Sequence, residues 1–279
     1  MKRNTNRIPS IIALAFIWLG LSAFLSCDSH DSENPVDAWL QCQMLGTCTY
    51  TNARFGMIGD SWTDFGFGTQ LQRDLYDWLV EEHGYHINAS NLAGQILQAE
   101  VHQFLAWRKI IDHSGSQLQY MLISLGGNDL LDNSTEYTSA NAATIVQQRL
   151  QQYELNLTNL ILAANIYKME LYGGEPLKWF IHGYDYPNPE LVSGCTFSNI
   201  PANEKPALMA SLLNEFNARQ KHLASINPDL YYFDLRGTLG GTQTSNQALK
   251  FDCIHPNDIG FQMIAARYAA NLQLVTQER

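Results

Sequence analysis

Ser61 closes the run Met57-Ile58-Gly59-Asp60-Ser61, and far downstream Asp252 and His255 lie three apart in Asp252-Cys253-Ile254-His255. A serine hydroxyl is a poor nucleophile near neutral pH. It needs a base to take its proton and a third group to orient that base. Ser61, His255 and Asp252 are the residue types for those three roles, and the chemistry they suit is acyl transfer. A carbonyl attacked by such a serine becomes an oxyanion, which needs fixed hydrogen-bond donors. The backbone amides of Ser61 and Gly94 and the side-chain amide of Asn128, in Gly126-Gly127-Asn128-Asp129, are candidates. Asp60, Gly127 and Asp129 read as supporting residues that brace the loops beside Ser61 and Asn128.

Residues so far apart in the chain need elements that bring them together. Apolar runs of strand length at 55–58, 85–92, 120–125, 177–182 and 230–233 alternate with amphipathic segments of helix length. The helices are predicted at 71–82, where Gly84 is placed to stop the first, and at 96–111, 140–168, 204–225 and 259–274. Alternation of this kind implies right-handed crossovers and an α/β fold with a mostly parallel sheet of five strands, covered on both faces. Ligands of such sheets bind beyond the carboxyl ends of the strands. Ser61, Gly94 and Asn128 follow the first, second and third predicted strands, so they should meet on one rim. Pro256 disfavours helical angles at His255, so a short loop before the last helix presents the base and its orienter.

Other residues near that rim have two readings each. Trp62 walls a substrate pocket or packs against a helix. Tyr184 and Tyr186, with Phe197 farther along a long Pro-rich connection, form an aromatic platform for a sugar or acyl group, or fold inward. The stretch 237–247, rich in Gly, Thr, Ser and Gln, is a lid or a solvent loop. Competing motifs fail on particular residues. Thr63 stands where G-x-S-x-G needs its last glycine, and Leu71 stands where a dinucleotide-binding turn needs its third. There is no phosphate-binding G-x-x-x-x-G-K, no H-E-x-x-H and no Cys-x-x-Cys, so a mechanism with no metal and no other cofactor is expected.

The four blocks Gly59-Asp60-Ser61, Gly94, Gly126-Gly127-Asn128-Asp129 and Asp252 to His255 resemble those of the SGNH hydrolases, also called GDSL esterases and lipases. The resemblance runs in order from about Phe55 to Leu272. It implies a three-layer α/β/α sandwich of flavodoxin-like type and a serine esterase that forms an acyl-enzyme on Ser61. It also implies an oxyanion hole built from Ser61, Gly94 and Asn128. Acetylated glycans and lipid esters are both compatible substrates. The same constellation serves O-acetyltransferases that acylate cell-envelope glycans, which is the alternative reading. A binding module without activity is a third, against which the intact Ser61, Asp252 and His255 set argues.

The amino terminus carries Lys2, Arg3 and Arg7, then an apolar run from Ile8 to Leu25, then Ser26-Cys27. This is the layout of a secretory signal peptide with a lipobox-like end. The chain therefore divides into a leader at 1–27, a tether and loop at 28–52, and a hydrolase domain at 53–279. Lipidation of Cys27 would make it a bacterial cell-envelope lipoprotein facing the periplasm and held to the membrane by its lipid; otherwise it is secreted or keeps the leader as an anchor. Export makes Cys42 with Cys48 and Cys195 with Cys253 the expected disulfides, four free buried thiols being the alternative. The net charge of −10 argues against nucleic acid as a partner.

Overall fold

Tyr120-Met121-Leu122-Ile123-Ser124 is apolar at nearly every position, the pattern of a parallel strand covered on both faces. In the structure, a computed structural model, all five of these residues are buried in the central strand of a five-stranded sheet. Residues 53–65, 72–131, 133–191 and 197–278 are described, within one unit, Gln41–Arg279. The expectations for the leader, the tether, Cys27, Cys42, Cys48 and Cys195 lie outside these residues. Among them no helix is long and apolar enough to cross a membrane.

The strands are β1 (Phe55–Gly59), β2 (Ile87–Asn91), β3 (Tyr120–Ser124), β4 (Lys178–His182) and β5 (Leu230–Phe233). Every pairing is parallel and the order is β2-β1-β3-β4-β5. The helices are α1 (Leu75–Glu81), the short α2 (Leu97–Ala99), α3 (Ala106–Ser114), α4 (Gly127–Leu131), α5 (Ala142–Tyr172), α6 (Lys205–Ile226) and α7 (Asp258–Thr276). Helices α1 and α7 pack on each other, while α3 packs on α5 and α5 on α6. With both faces of β1 and β3 buried, this is the expected three-layer α/β/α arrangement.

Strand order positions the site. The chain leaves β1 for β2 on one side, then returns to lay β3 on the other side. The carboxyl end of β1 is thus a topological switch point, where loops diverge and leave a crevice. Ser61 follows β1 at that point, and the loops after β2 and β3 flank it.

One predicted helix is broken. Over 96–111 the structure has α2, a π-helical turn at Glu100–Phe104, a left-handed Leu105 (φ 51°, ψ 36°) and then α3. The buried carboxylate of Glu100 accepts from the Trp107 amide at 3.1 Å and from the Gln95 side chain at 3.1 Å. It caps the restarted helix and satisfies donors that the break would leave unpaired.

Candidate active site

After β1 the Asp60 amide extends the sheet by donating to Ser124 O at 2.9 Å. The chain then turns tightly: the Thr63 amide and hydroxyl donate to Asp60 O at 2.9 and 3.1 Å, and Trp62 N donates to the Asp60 carboxylate at 3.0 Å. A Cβ on Gly59 would lie 1.8 Å from Thr63 Oγ1, so glycine is what lets this turn close. The turn raises Ser61 on a half-buried apex.

The second half of the site comes from the loop before α7. Asp252 Oδ1 accepts from Ile254 N at 2.9 Å and from His255 N at 2.7 Å, a local cap that fixes the loop. Asp252 Oδ2 lies 2.8 Å from His255 Nδ1, and His255 Nε2 lies 2.7 Å from Ser61 Oγ. Burial pushes the Asp252 carboxyl up, but its bonds from the His255 ring and the loop amides outweigh this and hold it below the usual carboxylate range. An ionised carboxylate only accepts, so the imidazole proton sits on Nδ1 and Nε2 is free to accept from the serine. Phe65 covers the His255 ring at 4.4 Å between centroids. Arg73 donates to Asp258 through its amide and guanidinium, tying the segment after Ser61 to the first turn of α7.

Asn128 lies in the first turn of α4, and its Nδ2 donates to Gln95 O at 3.0 Å. That bond uses one of two amide hydrogens and orients the other. Gly94 has φ +77°, and Gln95 N donates to Leu92 O at 3.0 Å, a turn whose third residue requires a left-handed conformation. The turn is joined to the Ser61 loop: Ala93 N donates to the Asp64 carboxylate, and Asn91 Nδ2 to Thr63 O. Asp129 accepts from Leu97 N with both oxygens, fastening the loop after β2 to α4. A Cβ on Gly127 would come within 3.0 Å of the Tyr184 ring.

Several residues beneath the site carry work that the sequence does not announce. The Tyr184 hydroxyl donates to Asp60 Oδ2, and its ring meets Trp62 edge to face at 4.8 Å. Burial pushes the Asp60 carboxyl up to about 7. Lys250 is also buried; burial lowers its amine to about 7, opposed by Asp185 and Asp252, and its Nζ donates to Ile254 O at 2.8 Å, just before the base. Asp185 accepts from the amides of Tyr186, Gly237 and Leu239, anchoring both the loop after β4 and the stretch 237–247. Tyr186 turns inward, its hydroxyl donating to Asn214 at 3.0 Å, and Phe197 packs on Tyr137. Neither lines the cleft at Ser61; Trp62 and Tyr184 do.

A serine, a histidine and an aspartate in hydrogen-bond sequence at the switch point of a three-layer α/β/α sheet define an SGNH-type hydrolase. The sequence matches the model of the GDSL-like lipase/acylhydrolase family over residues 57–263, and the chain belongs to that family. It is a carboxylic ester hydrolase. No curated protein matches it in sequence. Similar solved structures share its fold at low identity. A GDSL-like lipase from Bacteroides thetaiotaomicron is 15% identical, with a TM-score of 0.51 over 80% of this chain and 89% of that one. A lipase from a goat rumen metagenome is 15% identical, with a TM-score of 0.54 over 78% and 96%. An acetylxylan esterase from Geobacillus stearothermophilus is 16% identical, with a TM-score of 0.51 over 80% and 94%.

Proposed function

We propose that this chain is an exported esterase that works through an acyl-enzyme on Ser61. The observation that carries the reading is the unbroken relay from Asp252 Oδ2 through His255 to Ser61 Oγ, at 2.8 and 2.7 Å. Ser61 Oγ attacks the ester carbonyl carbon while His255 Nε2 takes its proton. The tetrahedral intermediate collapses, the bond to the alcohol oxygen breaks, and His255 returns the proton to that oxygen. A water molecule then gives its proton to Nε2 and attacks the acyl carbon; the bond to Oγ breaks, Oγ recovers the proton and the acid departs. Asp252 stays ionised throughout and holds the imidazolium in place.

The amides of Ser61 and Gly94 and the free Nδ2 hydrogen of Asn128 are assigned to the oxyanion. Asn128→Ala removes one donor and should lower kcat by about 10²–10³-fold with a smaller effect on KM, read from steady-state hydrolysis of a p-nitrophenyl ester. A fluorophosphonate probe tests the nucleophile directly. It should modify Ser61 stoichiometrically, as located by peptide mass spectrometry, and a folded protein that stays unmodified would sink the proposal.

Export is supported by Lys2, Arg3, Arg7 and the apolar run that follows them, and lipidation of Cys27 by the Ser26-Cys27 junction. A disulfide between Cys195 and Cys253 fits an exported chain and the complete burial of Cys253 inside the loop that carries the base.

A further inference from the structure

The cleft at Ser61 is a half-open depression walled mainly by apolar side chains. It carries Ser61, Asn128 and His255 together with apolar side chains from two helices: Leu130 and Leu131 of α4, and Met209, Leu212 and Leu213 of α6. Ile254, the residue before the base, adds to the same wall. Leu131, Leu213 and Ile254 are only partly buried, so apolar surface there remains open to whatever enters.

Among the described residues, the polar and aromatic groups that line the cleft besides Ser61, Asn128 and His255 are already committed. The Asp60 carboxylate takes the Trp62 amide and the Tyr184 hydroxyl, and the Asp185 carboxylate takes three backbone amides. Neither is left to read the hydroxyls of a sugar. Trp62 and Tyr184 are 3% and 6% exposed and lie edge to face against each other, so neither presents an open ring for a sugar to stack on. An acetyl group has a single methyl to set against these walls. A longer apolar chain would remove that surface from water, which is where binding free energy is gained.

We infer that the cleft between α4 and α6 is an acyl-binding site for a linear apolar chain longer than acetyl, with Leu131, Leu213 and Ile254 setting its preference. This rests on Ser61 being the nucleophile, because the chain is placed by the carbonyl bonded to its Oγ. Acetylated carbohydrate is thereby disfavoured as the substrate.

The test is a series of p-nitrophenyl acetate, butyrate, hexanoate and octanoate, in which the alcohol is constant. kcat/KM should rise by about threefold per methylene, so that hexanoate exceeds acetate by about 10²-fold. A second arm compares ethyl octanoate with octyl acetate: faster cleavage of the octanoate supports an acyl site, and faster cleavage of octyl acetate overturns it. Leu213→Trp should cut the hexanoate-to-acetate ratio by about tenfold or more. Leu131→Phe, a smaller change, serves if that variant does not fold. Fluorophosphonate labelling shows that the reacting groups are still assembled in either variant. A labelled variant with an unchanged ratio, or a parent enzyme fastest on acetate, overturns the acyl site while leaving the Ser61 mechanism standing. Loss of labelling together with hydrolysis of every ester by the parent would bring down both.

Discussion

Ser61→Ala should lower kcat for an activated ester by roughly 10⁶-fold, the scale seen when a triad's nucleophile is removed. The loss should be almost purely chemical. The turn that carries Ser61 is closed by Gly59, the Asp60 carbonyl and carboxylate, and Thr63, none of which needs the serine hydroxyl. That hydroxyl's bond is to His255 Nε2, and the backbone amide assigned to the oxyanion survives the substitution. Thermal stability should therefore move by no more than about 1 kcal/mol, the worth of one partly exposed hydrogen bond. KM should change little, because the apolar cleft is untouched. Initial rates on p-nitrophenyl butyrate and a melting curve check both halves. A well-folded variant that keeps more than about a hundredth of the parent kcat would mean the acyl group is carried elsewhere.

The rim was legible because strand ends are. An apolar run such as 120–125 has one physical solution in a sheet of this kind, and the glycine that follows marks where it stops. Gly94 was legible as a glycine but not as a turn: its φ of +77° and the Asp64 and Asn91 bonds beside it depend on where β2 lies relative to β1. The break at Leu105 was hidden because 96–111 keeps helical periodicity on both sides of it, while the cause is one buried glutamate that caps a second start. The stretch 237–247 looked free because its composition is that of a loop. What holds it is Asp185, more than fifty positions away in the chain. Tyr184 was legible as an aromatic near the rim, but its hydroxyl on Asp60 depends on β4 lying two strands from β1. Lys250 gave no signal at all. A lysine before a Phe reads as surface, and only the packed loop shows its Nζ bonded to Ile254 O. Local backbone requirements are thus written in residue types, whereas partners fixed by tertiary packing are not.

Asp252→Asn separates orientation from geometry and should lower kcat by about 10⁴-fold without dismantling the loop. The asparagine oxygen can take the place of Oδ1 and keep the bonds from Ile254 N and His255 N, so the turn survives. Its nitrogen then faces His255 Nδ1 where Oδ2 accepted before. Two donors cannot share that contact, so Nδ1 must become the acceptor and the ring proton moves to Nε2. There it points at Ser61 and can no longer receive the serine's proton. Asp252→Ala also removes the loop's cap, and it should lose stability as well as rate; the contrast between the two variants isolates the tautomer. The sign of the acid dependence follows from the depressed Asp252 pKa. Its contribution to stability is complete above the unfolded carboxylate's pKa of about 4 and is lost as pH falls through the lower folded value. The Asn variant should lack that increment at every pH, so its stability should converge on the parent's in strong acid. Steady-state rates near pH 8 and denaturant melts from acid to neutral pH read the two effects separately. An Asn variant within about tenfold of the parent rate would show that Asp252 fixes the loop without orienting the base.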